Sequence, residues 1–436
     1  MLSALPPILR ILLLALVGAI VGAFLNRAIY AWPYFLKRAI SPWLPPDPQA
    51  PPRKWSDRIP VVGWFGLRRE YKIHGSGFWV RPMLIEIVWL VGLPWFYFWQ
   101  LAGGLTGSLL VPEPVGWSSF IETWFVAHAL LIALMFIATF IDFDERTIPD
   151  YITIPGTMLA LLISAGCPWF RLPEVTTNLA GQVLVPIHFA SGSPLPNWHH
   201  DQLGLWVAIG IFTCWILALL PKVCTLRFGF RRGLKIMVGS CLRPARKTAC
   251  PIRCQQRRPE PMTLALGALW LGGFFAIVFS KQSLPPLHWD SLFGSMVGLA
   301  FGGGMIWSIR IVGRYALQKE AMGFGDVTLM AMIGAFLGWQ ATLLTLPFAA
   351  IAALLIVVGC FLVTKESELA FGPYLCLGCT ILLFGWSSIW PTMSQQFFFL
   401  GPWMFVILLA ALILMPLLLM LTQWLKAMFL SEADAA

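Results

Sequence analysis

Charge is scarce in this 436-residue chain. Only 11% of residues are charged, against 58% hydrophobic. No soluble protein of this length needs so much apolar side chain. The scarcity excludes an ordinary soluble enzyme and leaves a polytopic membrane protein. Acidic residues are fewer still, 20 Asp and Glu against 30 Lys and Arg, for a net charge of +10. A basic excess can signal nucleic acid. Here 20 of the 30 basic residues lie in two loops between apolar segments. That is the positive-inside pattern, so no nucleic-acid partner is expected. The same loops can meet anionic membrane lipid. Cysteine is missing altogether from the first basic loop, residues 31–81, which excludes a Cys-based zinc ribbon there.

The nine cysteines that do occur are scattered through spans and loops, so no disulfide framework is expected. Cys224, Cys241, Cys250 and Cys254 follow a C-x16-C-x8-C-x3-C spacing. They can be read as a zinc site or as four free thiols in a basic segment. The thiol reading is the plainer, and no metal is expected. His199 and His200 read as solvated residues of an outer loop, and His128 as a packing residue in a span.

Apolar windows give an all-α membrane protein with about ten transmembrane helices. They lie near residues 8–25, 83–102, 121–141, 152–167, 204–220, 262–280, 292–312, 341–363, 371–390 and 400–425. The window 8–25 runs on without a small-residue cleavage site, so it reads as a mature span rather than a signal peptide. A shorter apolar helix, about 327–338, follows Asp326. Loop 31–81 carries nine basic and three acidic residues, and loop 221–260 eleven and one. Both are placed in the cytoplasm. Segment 103–120 has no Lys or Arg, and loop 168–203 has only Arg171, so both are placed outside.

Two carboxylates stand out where apolar chain meets polar chain. Asp326 lies in MGFGDVTLM, residues 322–330, and Asp142 in FIDFDERTIPD, residues 140–150. Ionisable groups at such depth are expensive and are read as functional by default. Four spans separate the two, an even number, so both reach one membrane face. Held close, two carboxylates cannot both ionise cheaply. One can then take a proton from water while the other polarises a carbonyl, which is general acid–base hydrolysis without a covalent intermediate. Gly323 and Gly325 are expected to supply backbone angles that other residues avoid and to let a substrate strand approach. Asp326 can also be a plain helix cap. Periodicity does not rank Asp142 above Asp144, Glu145 and Asp150. Asp150 is expected to cap the span 152–167, and Arg146 to pair with Asp144 and Glu145. An ion-coupled transporter using membrane carboxylates is the alternative of another class. It calls for inverted repeats, which the sequence does not display.

Residues 320–339, EAMGFGDVTLMAMIGAFLGW, resemble the second catalytic motif of the type IV prepilin peptidase family, the bacterial leader peptidases of the GxGD aspartyl class. FIDFDERTIPDYITIP, residues 140–155, resembles the first, in which an Asp stands seven positions before a Pro. That resemblance selects Asp142, with Pro149. FGPYLCLG, residues 371–378, is similar to a later Phe-Gly-Pro segment containing Gly372 and Pro373. GAFLNRAIYAWP (22–33), DRIPVVGWFGLRRE (57–70) and RPMLIEI (81–87) are similar to the family's amino-terminal domain, with Pro82 where Tyr is usual.

The resemblance implies an aspartyl endopeptidase in the bacterial inner membrane, with catalytic Asp142 and Asp326 on the cytoplasmic side. It would cleave a short basic leader, after Gly, from type IV prepilin or pseudopilin precursors. Asp144, Glu145 and Glu320 would attract that leader. Proteolysis needs no cofactor. A bifunctional enzyme that also methylates the new amino terminus with S-adenosylmethionine is the alternative. The resemblance divides the chain into an amino-terminal domain, 1–102, and a peptidase core, 121–166 with 291–425. Residues 167–290 read as an insertion with an outer loop, two spans and a basic loop.

Overall fold

The computed structural model describes residues 2–33, 42, 46–107, 117–178, 181–191, 196–220, 259–317, 322–364, 370–400, 403, 406–410 and 413–414. Their helices are α1 (Pro7–Ala31), α2 (Val62–Leu67), α3 (Tyr71–His74), α4 (Val80–Leu101), α5 (Trp117–Glu145), α6 (Asp150–Gly166) and α7 (Gln202–Leu219). They continue as α8 (Pro259–Ser283), α9 (Pro286–Leu317), α10 (Phe324–Leu337), α11 (Trp339–Thr364) and α12 (Gly372–Leu400). Among the described residues, eight helices are long and apolar enough to cross a membrane: α1, α4, α5, α7, α8, α9, α11 and α12. They match eight of the ten expected windows. The window 152–167 became α6, an apolar helix of 17 residues, and 400–425 lies largely outside the described residues.

Among the described residues the only strands form a small antiparallel hairpin in the expected outer loop. It pairs β1 (Pro173–Asn178) with β2 (Gly181–Pro186). Tryptophan and amide donors tie it and the chain after it to the helices. Trp386 Nε1 donates to the Pro173 carbonyl at 2.8 Å, and Gln340 Nε2 to that of His188 at 2.8 Å.

The chain forms two compact units, Met1–Leu195 with Asp290–Ala436, and Pro196–Trp289. The hairpin segment therefore belongs with the first unit. In the second unit α7 and α8 pack at Gly273, where a Cβ would stand 2.3 Å from the Phe212 ring. Trp270 Nε1 also donates to Thr213 Oγ1 at 2.9 Å. His199 is buried there and accepts Trp289 Nε1 on its carbonyl at 2.9 Å. The expectation of a solvated His199 is thus corrected: its backbone is a packing anchor.

In the first unit, apolar side chains cannot drive helix association in lipid, so close backbone approach must do so. Gly18 and Gly22 on α1 meet α4, where a Cβ at Gly18 would lie 2.2 Å from the Trp89 carbonyl oxygen. Gly298 on α9 and Gly334 on α10 face each other reciprocally, each Cβ position within about 2 Å of the other's carbonyl. Helix α10 is consequently enclosed, with every residue from Asp326 to Leu337 buried. At 14 residues it spans about 20 Å, too short to cross the hydrocarbon core unaided, and its neighbours supply its surroundings.

The three segments that resemble the family's amino-terminal domain meet at one carboxylate. Buried Glu86 on α4 accepts Asn26 Nδ2 from α1 at 2.9 Å and Trp64 Nε1 from α2 at 2.9 Å. Its second oxygen accepts the Val61 N–H. Val61 has φ 64° and ψ −59°, and the Val62 N–H returns to the Pro60 carbonyl at 2.7 Å. This is a γ-turn with positive φ at a β-branched residue, a strained form that the Glu86 bond helps hold. Ion pairs complete the loop: Arg69 with Asp57, and Arg53 with Glu70 at 3.0 Å.

Candidate active site

Asp142 ends the apolar part of α5 and is only 5% exposed. The chain then turns sharply. The Arg146 N–H closes back on the Asp142 carbonyl at 2.8 Å, and Arg146 takes φ 54°. Pro149, extended at φ −71° and ψ 137°, caps the start of α6 without a side-chain hydrogen bond. Asp150 is therefore the first residue of α6 and not its cap, which corrects the expectation. A proline cap suits the site because its fixed φ directs the returning chain without needing a donor.

Asp326 occupies the first turn of α10 and is 6% exposed. Its Oδ2 accepts the Gly323 N–H at 3.0 Å; Gly323 is the N-cap and Asp326 the third residue of the helix, so the expected N-cap role is corrected to the reach-back bond of a capping box. The Coulomb field of Asp142 reaches it, and so does that of Arg310 on α9. Arg310 also lies over the Phe324 ring at 5.7 Å. The two carboxylates are thus brought together from α5 and α10.

What joins them is Ile148 and the start of α12. The Gly372 N–H donates to the Asp142 carboxylate. A Cβ at Gly372 would stand 2.5 Å from Asp142 Oδ2 and 2.8 Å from Ile148 Cδ1. A Cβ at Gly325 would meet Ile148 Cβ at 2.8 Å. Ile148 therefore wedges between the Gly325 turn and the Gly372 turn. Pro373 follows as the second residue of α12. The expected reason for the glycines is corrected here. Gly323 has φ −70°, and neither it nor Gly325 takes positive φ. Gly325 is small because Ile148 of the same chain approaches.

Asp144 is one-third exposed and forms a two-pronged ion pair with Arg81 of α4, both bonds at 2.9 Å. The expected partner was Arg146. Arg81 reaches Asp144 because its guanidinium also lies 4.9 Å from the Phe140 ring, one turn back on α5. Glu145 is half-buried at the end of α5, while Glu320 and the four cysteines 224, 241, 250 and 254 lie outside the described residues. Sequence reasoning missed Arg81, Ile148, Arg310 and Cys376. Cys376 is buried one turn into α12 and lies within electrostatic reach of both Asp142 and Asp326. Arg81, Ile148 and Cys376 had a signal, their places in the segments 81–87, 140–155 and 371–378, and Arg310 had none.

Two buried carboxylates within each other's electrostatic reach, with Arg310 in reach of one of them, are the groups from which a paired acid and base can be made. That is the requirement for activating water without a metal or a covalent nucleophile.

Residues 259–358 match the type IV leader peptidase family. This range takes in α8 to the middle of α11, so it includes Asp326 and starts before the boundary expected at 291. Three similar curated proteins share one name, prepilin leader peptidase/N-methyltransferase. The protein of Pectobacterium carotovorum subsp. carotovorum is 36% identical over 28% of this chain and 40% of its own length. That of Aeromonas hydrophila is 32% identical over 30% and 43%. That of Escherichia coli (strain K12) is 36% identical over 29% and 53%. The chain thus spans about half, or less, of the relatives it matches. No solved structure matches it.

Proposed function

We propose that this chain, a polytopic membrane protein carrying a type IV leader peptidase domain, is an aspartyl endopeptidase that removes the leader from type IV prepilin-like precursors. The observation that carries the reading is the convergence of buried Asp142 and Asp326 on the Ile148–Gly372 contact. The charged carboxylate takes a proton from water. The protonated one donates to the scissile carbonyl as the tetrahedral centre forms. The pair then returns a proton to the leaving amine. The two titrate as a unit, so acid and base are not assigned to individual residues. Gly323 and Gly372 N–H groups hold one oxygen of each aspartate, leaving the others for water and substrate.

The basic loops support a reading in which the pair works at the cytoplasmic face of a bacterial inner membrane. There a basic leader can lie at the surface while the apolar segment after it stays in lipid, with the cut after Gly. Glu145 and Glu320 are the leader contacts of choice. Asp144 already shares its charge with Arg81. The test is co-expression with a type IV prepilin, read by gel shift and product mass. Asp142→Asn and Asp326→Asn should each abolish cleavage while the protein remains in the membrane. Processing at the wild-type rate by either variant would refute the pair.

The relatives' printed name favours a second reading, peptidase combined with N-methyltransferase. The methyl donor would be S-adenosylmethionine, a cationic sulfonium. The product's mass decides, because methylation adds one methyl group to the new amino terminus.

A further inference from the structure

Arg171 carries a positive charge into the interior of the first unit. It stands between α6 and β1 and is 1% exposed. A guanidinium keeps its proton at neutral pH even there. Its packing is close. A Cβ at Gly294 of α9 would stand 2.3 Å from its Nη1, and a Cβ at Gly338, the turn between α10 and α11, 2.2 Å from its Nη2. Its Nη1 donates to the Ser291 carbonyl at 3.2 Å. Its Nε and Nη2 are buried and meet no hydrogen-bond partner among the described residues. No carboxylate among those residues offsets the charge, and burial is the one influence on it. Glu174, the next acidic residue along the chain, is engaged by Ser191. A buried charge left alone is strongly destabilising, and folded proteins pair it.

We propose that Arg171 is the core of a binding site for a small monovalent anion, chloride. The ion accepts from the Nε–H and Nη2–H groups of Arg171. Ser291 and Ser295 supply further donors. They lie one turn apart on the side of α9 that carries Gly294, and both hydroxyls are buried without partners among the described residues. Charge selects an anion, and enclosure selects its size. Arg171, Ser291, Ser295 and Gln340 are all buried, and two glycines press on the guanidinium. Such a place suits a monatomic ion and not a phosphate or a lipid headgroup. Gln340 Oε1, an acceptor 3.6 Å from the Gly338 Cβ position, is likewise unpartnered. A water that donates to both the ion and this oxygen serves it. The ion would join the chain entering the hairpin to α9 and to the turn that ends α10. Gly338 lies 12 residues from Asp326 along α10 (338 − 326), about 18 Å. The ion therefore acts on stability and takes no part in the proteolytic chemistry.

The full-length chain is purified in detergent and exchanged exhaustively into gluconate. It is then melted with rising chloride, bromide or sulfate, with gluconate keeping the ionic strength constant. Chloride and bromide should raise the melting temperature by several degrees and saturate, as a ligand of the folded state does. Sulfate should leave it unchanged. In R171M the halide response should vanish. Equal melting in chloride and gluconate, the same response to sulfate, or a halide response kept by R171M overturns the proposal. If R171M does not fold, S295A decides, because it removes one donor and suits a helix. Its half-saturating chloride concentration should rise several-fold, and an unchanged value refutes the site.

Discussion

Replacing Gly372 by Ala tests whether the position of the Asp142 carboxylate, rather than its mere presence, carries the chemistry. The added methyl would stand 2.5 Å from Asp142 Oδ2 and 2.8 Å from Ile148 Cδ1. Ordinary contacts lie near 3.5 Å, so something must move by about 1 Å. Ile148 can turn its terminal methyl aside. Asp142 cannot yield as easily, because the Gly372 N–H holds it. Overpacking of this kind costs about 1–3 kcal/mol of stability, which leaves a folded protein. A reacting group displaced by about 1 Å costs roughly 100-fold in rate. G372A should therefore reach the membrane at near-normal levels and cleave a prepilin about two orders of magnitude more slowly.

The matched control is Gly323→Ala, in the segment a motif reader would guard most closely. There the methyl meets Asp326 Oδ2 at 3.5 Å, and φ is −70°, open to any residue. G323A should cleave nearly as the wild type does. The assay is a time course of leader removal in membranes, normalised to enzyme content. If G372A is fully active, or if G323A is inactive while G372A is not, the packing argument is wrong and Gly323 serves the substrate directly.

Three further outcomes follow from the same geometry. Glu86→Gln keeps its volume but turns an N–H₂ toward the Val61 N–H, leaving a buried donor unpaired at a cost of about 1–3 kcal/mol; faster hydrogen exchange at residues 59–64 should report it. At Asp57 burial opposes the charge, but the Arg69 guanidinium and the Lys54 N–H outweigh it and hold the carboxyl below 3.8. That contribution is complete above pH 3.8 and fades as pH falls through the lower folded value; pepsin cuts in the 46–79 loop should therefore rise only below pH 3.8, whereas D57N should be cut faster by trypsin already at neutral pH. Gly338→Ala meets both a φ of 88° and the Arg171 Nη2 at 2.2 Å, together costing about 2–4 kcal/mol; its melting temperature in detergent should fall clearly, while Gly359→Ala, which meets nothing within 4 Å, should not lower it.

The membrane class and eight of the spans could be read from the sequence because both rest on composition and window length, which the bilayer dictates. The sequence's ground for pairing the aspartates was the parity of four expected spans, of which three are long helices, α7, α8 and α9, and the fourth is the 17-residue α6. Their surroundings were not readable, because they depend on where distant segments cross. Nothing local to ERTIPD predicts that Ile148 fills the gap between Gly325 and Gly372. Nothing local to RPMLIEI predicts that Arg81 pairs with Asp144. Arg171 was read as a lone outer-loop cation, yet it is buried against Gly294 and Gly338. Burial lowers its guanidinium to about 10, still charged at neutral pH. Such a packing cannot be inferred from a polar loop.

The place of Asp326 at the start of its helix does not compete with the catalytic role proposed for it. Its Oδ2 accepts the Gly323 N–H, which fixes the rotamer and leaves one carboxylate oxygen uncommitted to that bond. A catalytic carboxylate must be held within about 0.5 Å of its working position, and a cap bond to a backbone N–H does that without adding a charged neighbour. Asp142 is held the same way by the Gly372 N–H. Each aspartate is oriented by a backbone donor from a glycine, one on its own turn and one from a helix 230 residues away (372 against 142). The local bond makes the GFGD run recognisable by itself. The distant one leaves no mark around Asp142, so the first motif could be selected only by resemblance and not by its residues alone.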